Sequence, residues 1–78
     1  MNELTEKQGQ YLSFISAYMK LNNQAPAEAD IQRYFKVSPP TVHQMVVKLE
    51  SLGVIRRKTG VARGIQVLVE LENIPVLK

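Results

Sequence analysis

With 78 residues, 45% apolar and 22% charged, the chain makes one ordinary globular domain with a thin core, too small for a deep catalytic cleft and the scaffold to hold it. The absence of cysteine excludes a disulfide framework and a thiolate metal site. No apolar run approaches a membrane span, and the first fifteen residues, which include Glu3, Glu6 and Lys7, hold no apolar signal core, so a cytoplasmic protein without a membrane partner is expected.

The net charge of +3 is modest but uneven. Between positions 33 and 63 stand Arg33, Lys36, Lys48, Arg56, Arg57, Lys58 and Arg63 against Glu50 alone, whereas the flanks are acidic. A basic block on an acidic domain fits a polyanionic partner; a solvated face is the plainer alternative.

Thr5 is placed to cap a first helix running to about Asn22, with Leu4 before it as a staple residue. Tyr11, Leu12, Phe14, Ile15, Tyr18 and Met19 recur at spacings of three and four and form one broad apolar stripe. Gly9 weakens that helix near its start. Asn22-Asn23-Gln24-Ala25-Pro26 reads as a loop, and Pro26 suits the approach to a second helix over about Ala27 to Lys36. Glu28 and Asp30 favour the N-terminal end of this helix, and Ile31, Tyr34 and Phe35 form its inward face.

Ser38-Pro39 predicts the start of a third helix, since serine caps well and proline fits the first turn. Val42, Met45, Val46, Leu49 and Leu52 give it a continuous core stripe, and Gly53 ends it where a left-handed residue is easiest. The period then changes. Val54-Ile55-Arg56-Arg57-Lys58 reads as a strand and Thr59 to Gly64 as a loop of about six residues. Ile65, Val67, Val69 and Leu71 alternate with Gln66, Leu68, Glu70 and Glu72 as a half-buried strand. The expectation is a mostly α (α+β) domain over residues 1–72, with three helices and a two-stranded antiparallel hairpin, followed by a tail at 73–78 without a clear assignment.

Three helices followed by a hairpin is the order of a winged helix-turn-helix, whose third helix is offered to a DNA groove and whose hairpin is the wing. The face of the third helix left free of the core carries Pro40, Thr41, His43, Gln44, Val47 and Lys48. Gln44 suits a bidentate pair with adenine, Thr41 a base edge or a thymine methyl, and Lys48 a phosphate or a guanine. Ser38 and the unpaired amides at the helix start suit a phosphate. Arg56, Lys58 and Arg63, converging on one end of the hairpin, suit the DNA backbone or the minor groove. Each has a plainer role beside it. Ser38 caps the helix, His43 sits in solvent with no second histidine to share a metal, and wing cations keep an edge strand soluble.

The run from Phe35-Lys36-Val37-Ser38-Pro39 to Leu49-Glu50-Ser51-Leu52-Gly53-Val54-Ile55 resembles winged-helix transcription regulators. A closer resemblance, over roughly Leu4 to Leu71, is to the N-terminal DNA-binding domain of the LexA repressor. It is carried by Leu4-Thr5-Glu6-Lys7-Gln8, Ala25-Pro26, Ile31, Ser38-Pro39, Gly53-Val54-Ile55 and Arg63-Gly64-Ile65. The resemblance implies a repressor that binds an operator. Three departures stand out: Ala27 replaces the hydroxyl expected at the second helix's cap, the turn before the third helix is shorter by a residue, and Pro40, Thr41, His43 and Gln44 differ from the family, which implies a different operator. The family's self-cleaving peptidase domain, with its serine–lysine dyad, has no counterpart in the sequence, so neither self-cleavage nor that domain's dimerisation is carried over. No enzyme activity, cofactor, metal or small-molecule ligand is expected, because one histidine, no P-loop and no paired carboxylates leave nothing to assign.

The expected partner is double-stranded DNA, with a homodimer on a two-fold site; Leu68 or the tail's Ile74, Val76 and Leu77 would supply the contact. A protein–protein interaction module is the alternative. It would carry an apolar or acidic third-helix face and an uncharged wing, the reverse of what stands here. Double-stranded RNA has too narrow a major groove to admit a reading helix.

Overall fold

The computed structural model describes residues 4–78, and at Leu71 the backbone alone. Glu3, one of the acids flanking the basic block, and the inward position expected of the Leu71 side chain lie outside the described part.

Helix α1, Glu6–Asn22, starts at a capping box: the Thr5 hydroxyl accepts the Gln8 amide, and the Gln8 side-chain oxygen accepts the Thr5 amide at 2.9 Å. Leu4 packs against the core, but the position it would staple is Gly9, which has no side chain to meet it. Helix α2, Glu28–Phe35, starts on Ala27, and Asp30 replaces half of the missing cap by accepting the Ala27 amide at 2.9 Å. Lys36 then turns left-handed (φ 57°), a conformation that costs a non-glycine residue about 1–2 kcal/mol. Its reward is closure: the Lys36 amide bonds the Gln32 carbonyl and ends α2 within reach of the next helix.

Helix α3, Pro39–Ser51, begins where serine and proline predict, with the Ser38 hydroxyl accepting the Thr41 amide. It ends at Gly53 (φ 79°). There the Gly53 amide bonds the Glu50 carbonyl and the Val54 amide bonds that of Leu49, the double closure of a Schellman turn, with buried Leu49 and Val54 as its apolar pair.

Strands β1, Ile55–Arg57, and β2, Ile65–Val67, pair antiparallel with Ile55 opposite Val67 and Arg57 opposite Ile65. The second strand is shorter than the alternation predicts. Continuing the register would set Val69 opposite Gly53, which is committed to the helix end, so the ladder finishes with the Leu68 amide on the Val54 carbonyl. The burial alternation outlasts the ladder, with Val69 half-buried and Leu68 and Glu70 exposed. A single 3-10 turn, Leu71–Asn73, follows.

One core unites these elements: Tyr11, Leu12 and Ile15 from α1, Ile31 from α2, Val42, Val46 and Leu49 from α3, and Val54, Ile55 and Ile65 from the base of the hairpin. Phe35 stacks on Tyr11 with ring centres 4.1 Å apart. Tyr34, expected on the inward face of α2, is instead 45% exposed. It stacks on Phe14 and donates its hydroxyl to the Lys78 carbonyl at 3.2 Å.

The tail is tied to α1 through Gln10, whose side chain donates to the Val76 carbonyl at 2.9 Å and accepts the Lys78 amide at 2.7 Å, while the Lys78 ammonium meets Glu6. Gly9 makes room for this: a Cβ there would lie 2.8 Å from the Pro75 ring. The glycine that weakens α1 locally is the seat of the tail.

Candidate nucleic-acid interface

Helix α3 divides sharply into two faces. Val42, Val46 and Leu49 are fully buried at 0% exposure, whereas Thr41, His43, Gln44, Val47 and Lys48 are all exposed. The division follows from the helical period: the apolar positions anchor the helix to α1 and the hairpin, and the remaining positions are left free. Pro40 and Ser38 are exposed at its N-terminal end, where unpaired amides create a positive partial charge. The Ser38 and Thr41 hydroxyls lie 2.8 Å apart. His43 keeps its imidazole in solvent but places Nδ1 3.2 Å from Oε2 of Glu28 at the start of α2. That carboxylate beside the free face was read from the sequence only as a helix-end charge.

The hairpin brings two of its cations outward. Arg56 and Lys58 are exposed, and among the described residues they, like Lys48, make no ion pair. Arg57 turns back instead. Its amide and Nε reach the two oxygens of Glu50 at 3.1 and 3.0 Å, fixing the base of the hairpin to the end of α3 and holding the Glu50 carboxyl below its usual range. Arg63, grouped with Lys58 by sequence, also turns inward: Nη1 lies 2.9 Å from Asp30 Oδ2 and 3.1 Å from the Ala25 carbonyl. Asp30 is thereby bonded at once to the α2 start, to Arg33 and to the hairpin. The Ala27 amide first, then Arg63 and Arg33, hold its carboxyl low against the opposing effect of burial. Sequence reasoning missed Asp30, Glu50 and Tyr18 as organisers of this face. The one signal was the acid three residues into α2, where a capping carboxylate belongs.

No helix among the described residues is long and apolar enough to cross a membrane. They also contain no cluster of three histidine or acidic side chains arranged to hold a metal ion.

A short second helix, the turn Lys36-Val37-Ser38, a third helix with one free polar face and a basic two-stranded hairpin define a winged helix-turn-helix domain of the DNA-binding class. The chain belongs to the LexA DNA binding domain family, whose sequence profile matches residues 1–64. Over 69 residues it is 44% identical to the LexA repressor of Petrotoga mobilis, an alignment covering 87% of this chain and 33% of that protein. It is 38% identical over 74 residues to the LexA repressor of Thermosipho melanesiensis, covering 95% and 37% respectively. The LexA repressor of Thermotoga maritima is 32% identical over 78 residues, covering 99% of this chain and 40% of that protein. The chain thus spans between a third and two fifths of the length of these relatives.

Proposed function

We propose that this domain binds duplex DNA at a specific sequence and serves as the operator-binding part of a transcriptional repressor. The observation that carries the reading is the complete division of α3, buried on one side and free at Thr41, His43, Gln44 and Lys48 on the other. In this reading α3 lies in the major groove. Gln44 pairs with adenine and Thr41 and His43 meet base edges. Ser38, Pro40 and the amides they flank face a phosphate. Lys48, Arg56 and Lys58 grip the backbone to either side. The relatives' being LexA repressors supports repression, and the general symmetry of such sites supports a homodimer on two half-sites.

Selection of binding sites from random duplex DNA tests the proposal. A defined site is expected, two-fold if the dimer forms. Affinity for it should fall steeply with salt as counterions are released. Gln44→Ala should relax the preference at one base pair, at a cost of about 1–3 kcal/mol of discrimination. Failure to retain any duplex in dilute buffer would refute the reading.

A further inference from the structure

Arg63, its side chain 38% exposed, is held toward the body of the domain by several groups. Besides Asp30 and the Ala25 carbonyl, its Nη1 meets the Tyr18 hydroxyl at 3.2 Å, and the guanidinium carbon lies 5.9 Å from the centre of the Tyr18 ring. Its partners therefore come from α1, the loop before α2, and α2 itself. The Asp30 side chain is only 12% exposed and opens α2 with its other bond. A carboxylate so enclosed leans on its nearer cation, because without Arg63 it keeps only the exposed Arg33, at 3.3 Å.

Gly64 lets the loop close tightly beside Arg63. A Cβ at this position would lie 3.0 Å from the Lys58 carbonyl and Cβ, so any other residue would have to push the two sides of the loop slightly apart.

We infer that Arg63 is a positioning residue, latching the loop of the hairpin to the start of α2 so that Arg56 and Lys58 meet the DNA backbone at a fixed angle to α3. This deepens the DNA-binding reading and rests on it. The hairpin needs such a latch, because each strand is three residues long and an isolated two-stranded ribbon is marginally stable at best. The Arg57–Glu50 tie secures the base of the ribbon; beyond Lys58, Arg63 is the charged tie to the body among the described residues. The same arrangement commits Nη1 of Arg63 to the body of the domain, and a phosphate that drew the whole side chain outward would cost it those three bonds.

The test measures the affinity of the 78-residue chain for a duplex recovered by selection. The variants are Arg63→Ala, Asp30→Asn, the two combined, and Lys58→Ala with and without Arg63→Ala. Asparagine retains an oxygen for the Ala27 amide, and circular dichroism checks that each variant is folded. If the latch aligns the wing in only about one molecule in ten once cut, Arg63→Ala and Asp30→Asn should each weaken binding about tenfold. The combination should be no worse than either alone, and Lys58→Ala should lose most of its effect once Arg63 is gone.

Without DNA, hydrogen exchange at the Lys58 and Val61 amides, which bond the Gly64 and Lys58 carbonyls, should quicken in both single variants while α3 stays protected. Tighter binding by Asp30→Asn would mean that Arg63 is a phosphate ligand restrained by Asp30, and would overturn the inference. So would strictly additive losses, or unchanged exchange. If the unaltered chain bound no duplex, the DNA reading would fall, and the exchange measurement would still decide whether the latch exists.

Discussion

The recognition helix and the wing are built on opposite plans. Both ends of α3 are defined within a few residues of themselves: Ser38 and Pro39 start it, and Gly53 stops it, with its own amide on the Glu50 carbonyl and that of Val54 on the Leu49 carbonyl. The wing has a weak local basis and is set by side chains on the helices, Glu50 in the last turn of α3 for Arg57 and Asp30 at the start of α2 for Arg63. A reading element must keep one shape, and local closure gives it that independently of the rest of the fold. An element that only has to reach a backbone can be aimed by side chains. The tail extends the second plan, with Pro75 seated over Gly9 and Lys78 bonded to Gln10 and Tyr34.

The strongest way to break the contrast is to remove what both regions share. Leu49 is fully buried, anchors α3 and closes the turn into the hairpin. Leu49→Ala should cost about 2–5 kcal/mol; in urea or thermal unfolding, helix and wing signals should collapse together. Gly53→Ala comes next. No atom lies within 4 Å of the added Cβ, so the cost is the left-handed backbone alone, about 1–2 kcal/mol. It should appear as a lower melting temperature and fraying confined to the end of α3.

Gly9→Ala has a smaller effect whose sign depends on the tail. Alanine is the better helix former by about 1 kcal/mol, but its methyl collides with the Pro75 ring. The gain should be absent in the unaltered chain and appear in the Pro75→Ala background, a difference readable in paired thermal melts.

Acid gives the mildest test. The Asp30 and Glu50 carboxyls are held below their ordinary values, Asp30 chiefly by the Ala27 amide and Glu50 chiefly by that of Arg57. Stability that depends on a depressed carboxyl is complete above its unfolded value near 4 and drains as pH falls through the lower folded value. Amide exchange followed from pH 6 downward should therefore loosen in the wing and at the start of α2, which Asp30 caps, before it loosens at the Ser38 end of α3, whose cap is a neutral hydroxyl.

The same division governs what could be read from the sequence. The start and stop of α3 and its free face were legible because capping and helical period act over a few residues. The end of the second strand was not. Alternation continues through Val69, but pairing fails because the residue opposite is Gly53, a fact of register. The role of Gly9 was hidden for a similar reason: its loss of helix propensity is local, and the proline that it accommodates lies at the other end of the chain. The charge of Arg63 was plain from the sequence, but its direction depended on Asp30, Ala25 and Tyr18, none of them near it in sequence. The family resemblance lay mostly in caps, glycines and core positions; Arg63, which also carried it, is the exception whose partners are far away in the chain.

The paired hydroxyls at the entrance of α3 have a consequence of their own. Ser38 and Thr41 hold two hydroxyl hydrogens between them, and at 2.8 Å one is spent on the bond that joins them. The other is left free, and reversing the shared bond, by rotation about two carbon–oxygen bonds and without moving the backbone, changes which of the two hydroxyls has its hydrogen free. The helix therefore presents a single donor that can be offered from either of two places.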